Sequence, residues 1–559
     1  MKITNITQYI HFITLAIVTV FFTLTSGAAN ITVTSITDLQ NKINSAASGD
    51  IINLANGHYT NNVINISKSN ITVQAATTGG VYLDGTNSIT ISGSNNTFGG
   101  FQFVSGSITG IVITVTGSHN SISQLNFNGY SAQKYITLIA PSQYNEISYC
   151  NFENKPASAP IGNLIHIDPS ATVPGYHKIR YCSFQNMPGL GGDNGNECIR
   201  ISNGATSTYI SRTTIEFCYF NNTGMGDSEA ISNKCRENVI RYNTCVNNQN
   251  AMFCFRNGDD CVAYGNFFIG AGGIRVKEAN NIYCYNNYFE NSGVTGTMGS
   301  VLYVYYTANT TNVLNNINFI HNTFVDCGEI DFGGTGATNG TWANNIFKKS
   351  GTIFVNPNTG TSFKNNIYSG SLGITISSGM TKVDPKLTLN SDGYYGLSST
   401  SPAIGAASNE YPAILNIPGV DTLLLDIKGL GRPVSRLLKD VGCEQFNASG
   451  TITNRPLKLS DVGPSYLKSL TGIETPIQNL NFTVQVNSAD KTLEVNSVSP
   501  LNTGFNLSVY TLSGTLAKSF ILTQAKHQII DISDLKRGIY LAHLCSENTS
   551  ETIKFIVGN

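Results

Sequence analysis

The chain has 559 residues, a formal net charge of −1 and only 12% charged residues. So even a balance gives no global field to draw in a polyanion, so nucleic acid is not an expected partner and any steering of an anionic ligand falls to local lysines and arginines. The length suits one large domain plus a small one, and the sparse charge with abundant glycine and asparagine suits stacked turns rather than helices.

Residues 10–24 are mostly apolar, follow a lysine near the start and precede Ser26-Gly-Ala-Ala29, so residues 1–29 read as a secretory signal peptide. No other segment approaches the roughly 20 apolar residues that span a bilayer. No membrane span is expected after signal removal, and the protein is expected to be secreted or at the cell surface. Next, Ile36, Leu39, Ile43 and Ala46 follow helical spacing behind Ser35, a candidate N-cap. Such a helix would cap the first coil of the following domain and cover its open strand edges.

From residue 30 to 445 a short motif keeps returning: Ile147-Ser-Tyr-Cys-Asn-Phe152, Ile179-Arg-Tyr-Cys-Ser-Phe184, Ile215-Glu-Phe-Cys-Tyr-Phe220, Ile240-Arg-Tyr-Asn-Thr-Cys245 and Val262-Ala-Tyr-Gly-Asn-Phe267. Each copy alternates at the strand period and is expected to form one strand, with Asn or Gly supplying the turn. A strand repeated at this interval describes an all-β solenoid, a parallel β-helix with coils of 22 residues or more. Cys150, Cys182 and Cys218 occupy one place in successive copies, so they read as an inward ladder of thiols rather than disulfides. The turn asparagines are expected to ladder likewise. His166, in Asn163-Leu-Ile-His-Ile-Asp168, reads as a satisfied core or edge residue.

Polar residues interrupt the repeat most densely between 193 and 277. Asp227 and Glu229 are two apart, so on a strand they share a face. Two carboxylates held that close, joined by the amide oxygen of Asn194, would suit a hard cation such as Ca²⁺. The alternative is an acidic edge neutralised by Arg200 or Arg236. Lys234 and Arg256 are one short coil apart and would stand side by side just beyond the carboxylates, a face that suits a uronic-acid polymer. Cationic neighbours would lower the pKa of Lys234 and fit it as a base, and Arg256 could stabilise or protonate a departing glycosidic oxygen.

Two other readings exist. Gly258-Asp-Asp260 with Ile274-Arg-Val-Lys277 resembles the pectin-type β-helix hydrolases, but a hydrolase needs two carboxylates at a set separation, and adjacent Asp259 and Asp260 would face opposite ways on a strand. A non-catalytic glycan-binding β-helix would have no need of Lys234.

At these residues the chain resembles polysaccharide lyase family 6, right-handed β-helix lyases that include alginate lyases and chondroitinase B. The matching elements are Asn-Gly-x-Glu-x-x-Arg at 194–200, acidic-x-Glu-x-x-x-x-Lys at 227–234, Arg-x-Gly at 256–258, Gly-Gly-Ile-Arg at 272–275, Asn-Asn-Tyr-Phe at 286–289 and Asp461-Val-Gly-Pro-Ser465. The resemblance runs from about 30 to 466. It implies calcium on Asn194, Asp227 and Glu229, Lys234 as Brønsted base and Arg256 as Brønsted acid, with Glu197, Arg200 and Arg275 shaping the substrate site. Asp227 stands where the family pattern has Glu, and Asn257, a subsite position, where it has His. The implied partner is an anionic polysaccharide, alginate or dermatan sulfate. No Arg or Lys occurs between Lys277 and Lys348, which favours the unsulfated polymer.

A Ser/Thr/Asn-rich linker is expected over 446–474. From 475 to 559, short strands at 483–486, 492–495, 506–512, 529–532, 539–544 and 552–557 predict a small β-sandwich. Leu507-Ser-Val-Tyr-Thr-Leu-Ser-Gly514, Leu535-Lys-Arg-Gly-Ile-Tyr540 and Lys554-Phe-Ile-Val557 resemble the C-terminal sorting domain of the type IX secretion system, which makes that machinery a second expected partner. A carbohydrate-binding sandwich is disfavoured, since the segment has no Trp to stack on a sugar.

Overall fold

The computed structural model describes residues 27–557 apart from 190–194, 224–228, 249–250, 294–299, 306–313, 334–336, 357–359 and 436–437 and, in the C-terminal part, 472–481, 488–491, 498–505, 512–515, 522–526, 537 and 546–549. The apolar stretch expected to be a signal peptide lies outside the described residues. Among the described residues no helix is long and apolar enough to cross a membrane. The chain divides into two compact units, 1–466 and 467–559.

The first unit is a parallel β-helix of three sheets with 14, 12 and 14 strands, each strand bonded to those one coil before and after. Its core is laddered. Ile147 pairs with Ile179, Ile179 with Ile215 and Ile215 with Ile240, while Phe127, Phe152, Phe184 and Phe220 form a second row. All are fully buried, and each contributes roughly 1.5–3 kcal/mol of transfer free energy. Cys150, Cys182 and Cys218 are buried free thiols in the same core.

The recurring motif is not one strand but a corner between two. Glu146–Ser148 belongs to one 14-stranded sheet and Asn151–Glu153 to the other, with Tyr149 between them at φ 52°. Tyr181, Phe217 and Tyr242 repeat this left-handed conformation, and Gly265 takes it in the next coil. One such residue turns the chain while the flanking Ile, Cys and Phe stay inward. Its strain, of the order of 1 kcal/mol, is offset by stacking: Tyr149 on Tyr181 at 4.9 Å, Tyr181 on Phe217 and Phe217 on Tyr242 at 5.1 Å.

Asparagines hold the next position of the corners. The Nδ2 of Asn243 donates to Asn266 Oδ1, and the relay continues through Asn287, Asn322 and Asn345 to Asn366 at 2.9–3.1 Å. All six are fully buried, so the ladder satisfies amides that would otherwise be costly inside. At the N-terminal end, the helix Ile36–Ser45 is capped by Ser35 Oγ, which accepts from Asp38 N at 3.0 Å, and buries Leu39 and Ile43 over the first coil.

Coils are unequal. Ile147 pairs with Ile179 and Ile179 with Ile215, whereas Ile240 pairs with Ala263. The extra residues, 154–164, 168–177, 186–189, 195–198 and 202–213, flank strands of the 12-stranded sheet on both sides and turn its outer face into the floor of a groove. On another side, the expected linker is packed as far as Tyr466. Asn454 donates to Gly265 O at 2.9 Å, Leu457 N to Thr244 Oγ1 at 2.8 Å, Gly463 N to Tyr181 O at 2.8 Å and Ser465 N to Gln124 Oε1 at 2.7 Å.

The second unit has antiparallel sheets of three and four strands that share one core, including Leu493, Val495, Leu507, Val509, Ile530 and Phe555. Its strands include Leu516–Ile521, which the sequence pattern did not reveal. That segment is an edge strand paired only with Asn506–Thr511, so burial imposes little alternation on it.

Candidate active site

The groove floor carries an irregularity repeated in four coils. Tyr135-Ile136, Leu164-Ile165, Cys198-Ile199 and Ala230-Ile231 are adjacent pairs that both join the core. A strand alternates, so two successive inward residues mark a β-bulge, and the register of Glu229–Asn233 against Met252–Arg256 shifts at that point, between Glu229 and Ile231. The residues flanking each pair therefore both return to the outer face although three apart: Lys134 and Thr137, Asn163 and His166, Glu197 and Arg200, Glu229 and Ser232. The bulge is what gives the Glu-x-x-Arg spacing its meaning.

Register then sets the columns. His166 lies beside Arg200, Arg200 beside Ser232, Ser232 beside Cys254 and Cys254 beside Arg275. Asn233 pairs with Phe255 and Arg256 with Lys277, which puts Lys234, Arg256 and Lys277 on three successive coils in one row.

Between the columns lie two buried carboxylates. Glu229 is fully buried, with Oε1 accepting from Arg256 Nη1 at 3.2 Å and 3.9 Å from Arg275 Nη1. Glu197, also fully buried, accepts from Asn163 Nδ2 at 2.5 Å on Oε2, and its Oε1 lies 3.9 Å from Arg200 Nη1. Burial raises the Glu197 pKa and the charge of Glu229 adds to the rise, opposed by Arg200 and Lys234. Lys234 is 5% exposed, and its pKa is lowered. Burial is the main cause; Glu229 opposes it, and Arg200 and Arg256 reinforce it. Like charge, the cause expected from the sequence, is the lesser one.

Asn194 and Asp227, two of the three expected calcium ligands, lie outside the described residues. The donors that are described fit a hard cation: Glu229 Oε2 and Glu197 Oε1 are buried oxygens with no hydrogen-bond partner among the described residues. For Glu229, the described carboxylate of the acidic edge, the neutralising partners differ from those expected. Arg236 donates through Nε to Asp260 at 2.9 Å, Arg200 stands by Glu197, and Glu229 is met by Arg256 and Arg275. Arg275 is 2% exposed and buttresses Glu229. Asn257 is a left-handed turn residue at φ 60°, with Nδ2 donating to Glu278 Oε2 at 3.1 Å. Asp259 and Asp260 sit on a corner rather than a strand, and Asp259 Oδ1 accepts from Asn280 N at 2.8 Å.

Three lysines near the groove were given no site role from the sequence. Lys277 continues the cationic row. Lys155 is buried, donating from Nζ to Gly162 O at 2.8 Å and Asn196 Oδ1 at 3.1 Å, and burial brings its ammonium down to about 8. Lys134 opens the column of Asn163 and Glu197. None could be found without knowing where the bulges and loops fall. His166 is satisfied as expected, with Nε2 2.8 Å from Asp168 Oδ1 and Nδ1 3.1 Å from Asn163 Oδ1.

A family model of chondroitinase B matches residues 33–384, and one of a secretion system C-terminal sorting domain matches 481–558. The second marks the protein for type IX secretion, to the cell surface or beyond. No curated protein sequence matches the chain. Among solved structures, the PL6 family alginate lyase AlyGC shares 23% identity at a TM-score of 0.60 over 69% of this chain and 59% of its own. A mannuronic acid specific family 6 lyase from human gut microbiota shares 22% at a TM-score of 0.56, over 64% of this chain and 91% of its own. The chain thus spans about 59% of the length of AlyGC.

Proposed function

Since the chain belongs to the chondroitinase B family, as the match over residues 33–384 establishes, we propose that it is a polysaccharide lyase that cleaves a uronate polymer, alginate by preference, by β-elimination. The observation that carries this reading is the row Lys234–Arg256, one coil apart, beside two buried carboxylates. Lys234, held toward its neutral form by burial, removes the C5 proton of a uronate. The C–H electrons form the C4–C5 double bond as the C4–O bond breaks, and Arg256 stabilises and protonates the leaving oxygen. Glu229 keeps the Arg256 guanidinium oriented, and Arg275 adds positive charge around the substrate carboxylate. Calcium, held by Glu229 with Asn194 and Asp227, would supply further positive charge against that carboxylate and acidify the C5 proton.

Alginate is favoured over dermatan sulfate by the outer column itself. Beyond Arg275 it runs to Tyr303 and then Asp331, an acidic position where a sulfate would need a cation. The hydrolase alternative loses support because Asp260 is paired with Arg236 and Asp259 caps Asn280.

The test is ultraviolet absorbance of unsaturated uronate while the protein is offered alginate, dermatan sulfate and polygalacturonate separately, with and without EDTA. A rise on alginate that EDTA and Lys234→Ala each abolish is expected. A rise on dermatan sulfate alone would overturn the substrate, and new reducing ends without absorbance would overturn elimination.

A further inference from the structure

On its N-terminal side the groove continues into a cleft of about 440 Å³, lined among others by Lys134, Asn163, His166, Asp168, Arg200 and Asn203. Resting on the uronate-lyase reading, we propose that this cleft is a distal subsite that binds a further uronate of the polymer. Lys134 and Arg200 take its carboxylate, and Asp168 and Asn203 accept from its hydroxyls.

Four observations converge on this. Lys134 is partly buried and lines the cleft, yet makes no hydrogen bond or ion pair among the described residues. Its pKa is lowered chiefly by burial, with Asp168 opposing and Arg200 adding, so the three groups lie within electrostatic reach. An incoming carboxylate would relieve that strain with charge-assisted bonds to Lys134 and Arg200.

The floor is also prebuilt. His166 lies 2.8 Å from Asp168 and 3.1 Å from Asn163, which donates to Glu197 at 2.5 Å. A line of hydrogen bonds thus ties the cleft to the carboxylate beside Lys234. His166 is a positioning residue here, its pKa lowered chiefly by burial and held up by Asp168. Asp168 makes the cleft selective, because it repels a second negative group on the same sugar while accepting hydroxyls. One charge per sugar describes a uronate without sulfate.

Spacing fits a polymer. The strand of Lys134 lies three coils before that of Lys234, since Ile136 pairs with Ile165, Ile165 with Ile199 and Ile199 with Ile231. Coils stack at about 4.8 Å, so the cleft is about three sugar units from the scissile bond.

The test compares wild type with Lys134→Gln and Lys134→Arg. Calorimetry gives the affinity for mannuronate oligomers of increasing length, and ultraviolet absorbance gives their turnover. Lys134→Gln should bind long oligomers roughly tenfold more weakly, with a penalty that grows with length and appears in KM rather than kcat; Lys134→Arg should restore most of it. Equal affinity of wild type and Lys134→Gln at every length would overturn the subsite, as would a length-independent loss, which marks a folding defect. If wild type makes no unsaturated product but the length-dependent penalty persists, the lyase reading falls and the subsite stands. If product forms and Lys134→Gln matches wild type throughout, the reverse holds.

Discussion

Arg256→Ala should damage stability and chemistry separably. Glu229 is fully buried and Arg256 is its closest described cation, at 3.2 Å, while Arg275 is 3.9 Å away. Removing one partner of a buried pair costs about 3–5 kcal/mol. Arg275 remains to share the charge and the Arg256 side chain is 20% exposed, so the lower end, about 3 kcal/mol, applies. Amides of the strands Glu229–Asn233 and Met252–Arg256 should then exchange roughly 100-fold faster in EDTA, where no metal compensates Glu229. Adding Glu229→Gln should restore at least half of the protection, because a neutral amide needs no counter-ion. Activity should stay lost in both variants, since the group at the leaving oxygen is absent. Undiminished protection in Arg256→Ala, or no recovery in the double variant, would refute the buried ion pair as the element that holds Arg256.

Asn266→Ala breaks the asparagine ladder at a fully buried position, orphaning Asn243 N and Ile240 O, and should cost about 2–5 kcal/mol, read as a lowered urea midpoint. The acid limb of kcat/KM against pH should have an apparent pKa below the 10.5 of an ordinary lysine, because Lys234 must be neutral and burial lowers its pKa; a limb at or above 10.5 would remove Lys234 as the base. Lys155, at about 8 in the folded protein against 10.5 unfolded, binds fewer protons folded than unfolded between those values. Stability should therefore rise with pH across that window by up to about 3 kcal/mol, and Lys155→Met should flatten the rise. Chelation of wild type should lower thermal stability, and Glu229→Gln should be insensitive to it; an equal response would remove Glu229 from the cation site.

The repeat made the solenoid legible: a ladder of Ile, Cys and Phe at one place per coil has no other packing, and the Ser35 cap and the asparagine ladder follow the same logic. The motif was misread only in its middle, where Tyr149 and its equivalents look like strand residues by alternation. A left-handed φ leaves no mark in composition when the residue is aromatic, and only coil-to-coil stacking explains its tolerance.

For the site, the sequence by itself determined that Lys234 and Arg256 are neighbours, because stacking at one coil converts a 22-residue interval into adjacency. Only the tertiary structure decided who pairs with Glu229, what chiefly lowers the Lys234 pKa, and that Lys134, Asn163 and His166 share the same floor. Coil lengths differ and bulges double the inward residues, so distance along the chain no longer predicts the column. Burial, which shifts Lys234 most, is a property of every coil at once and of no local segment.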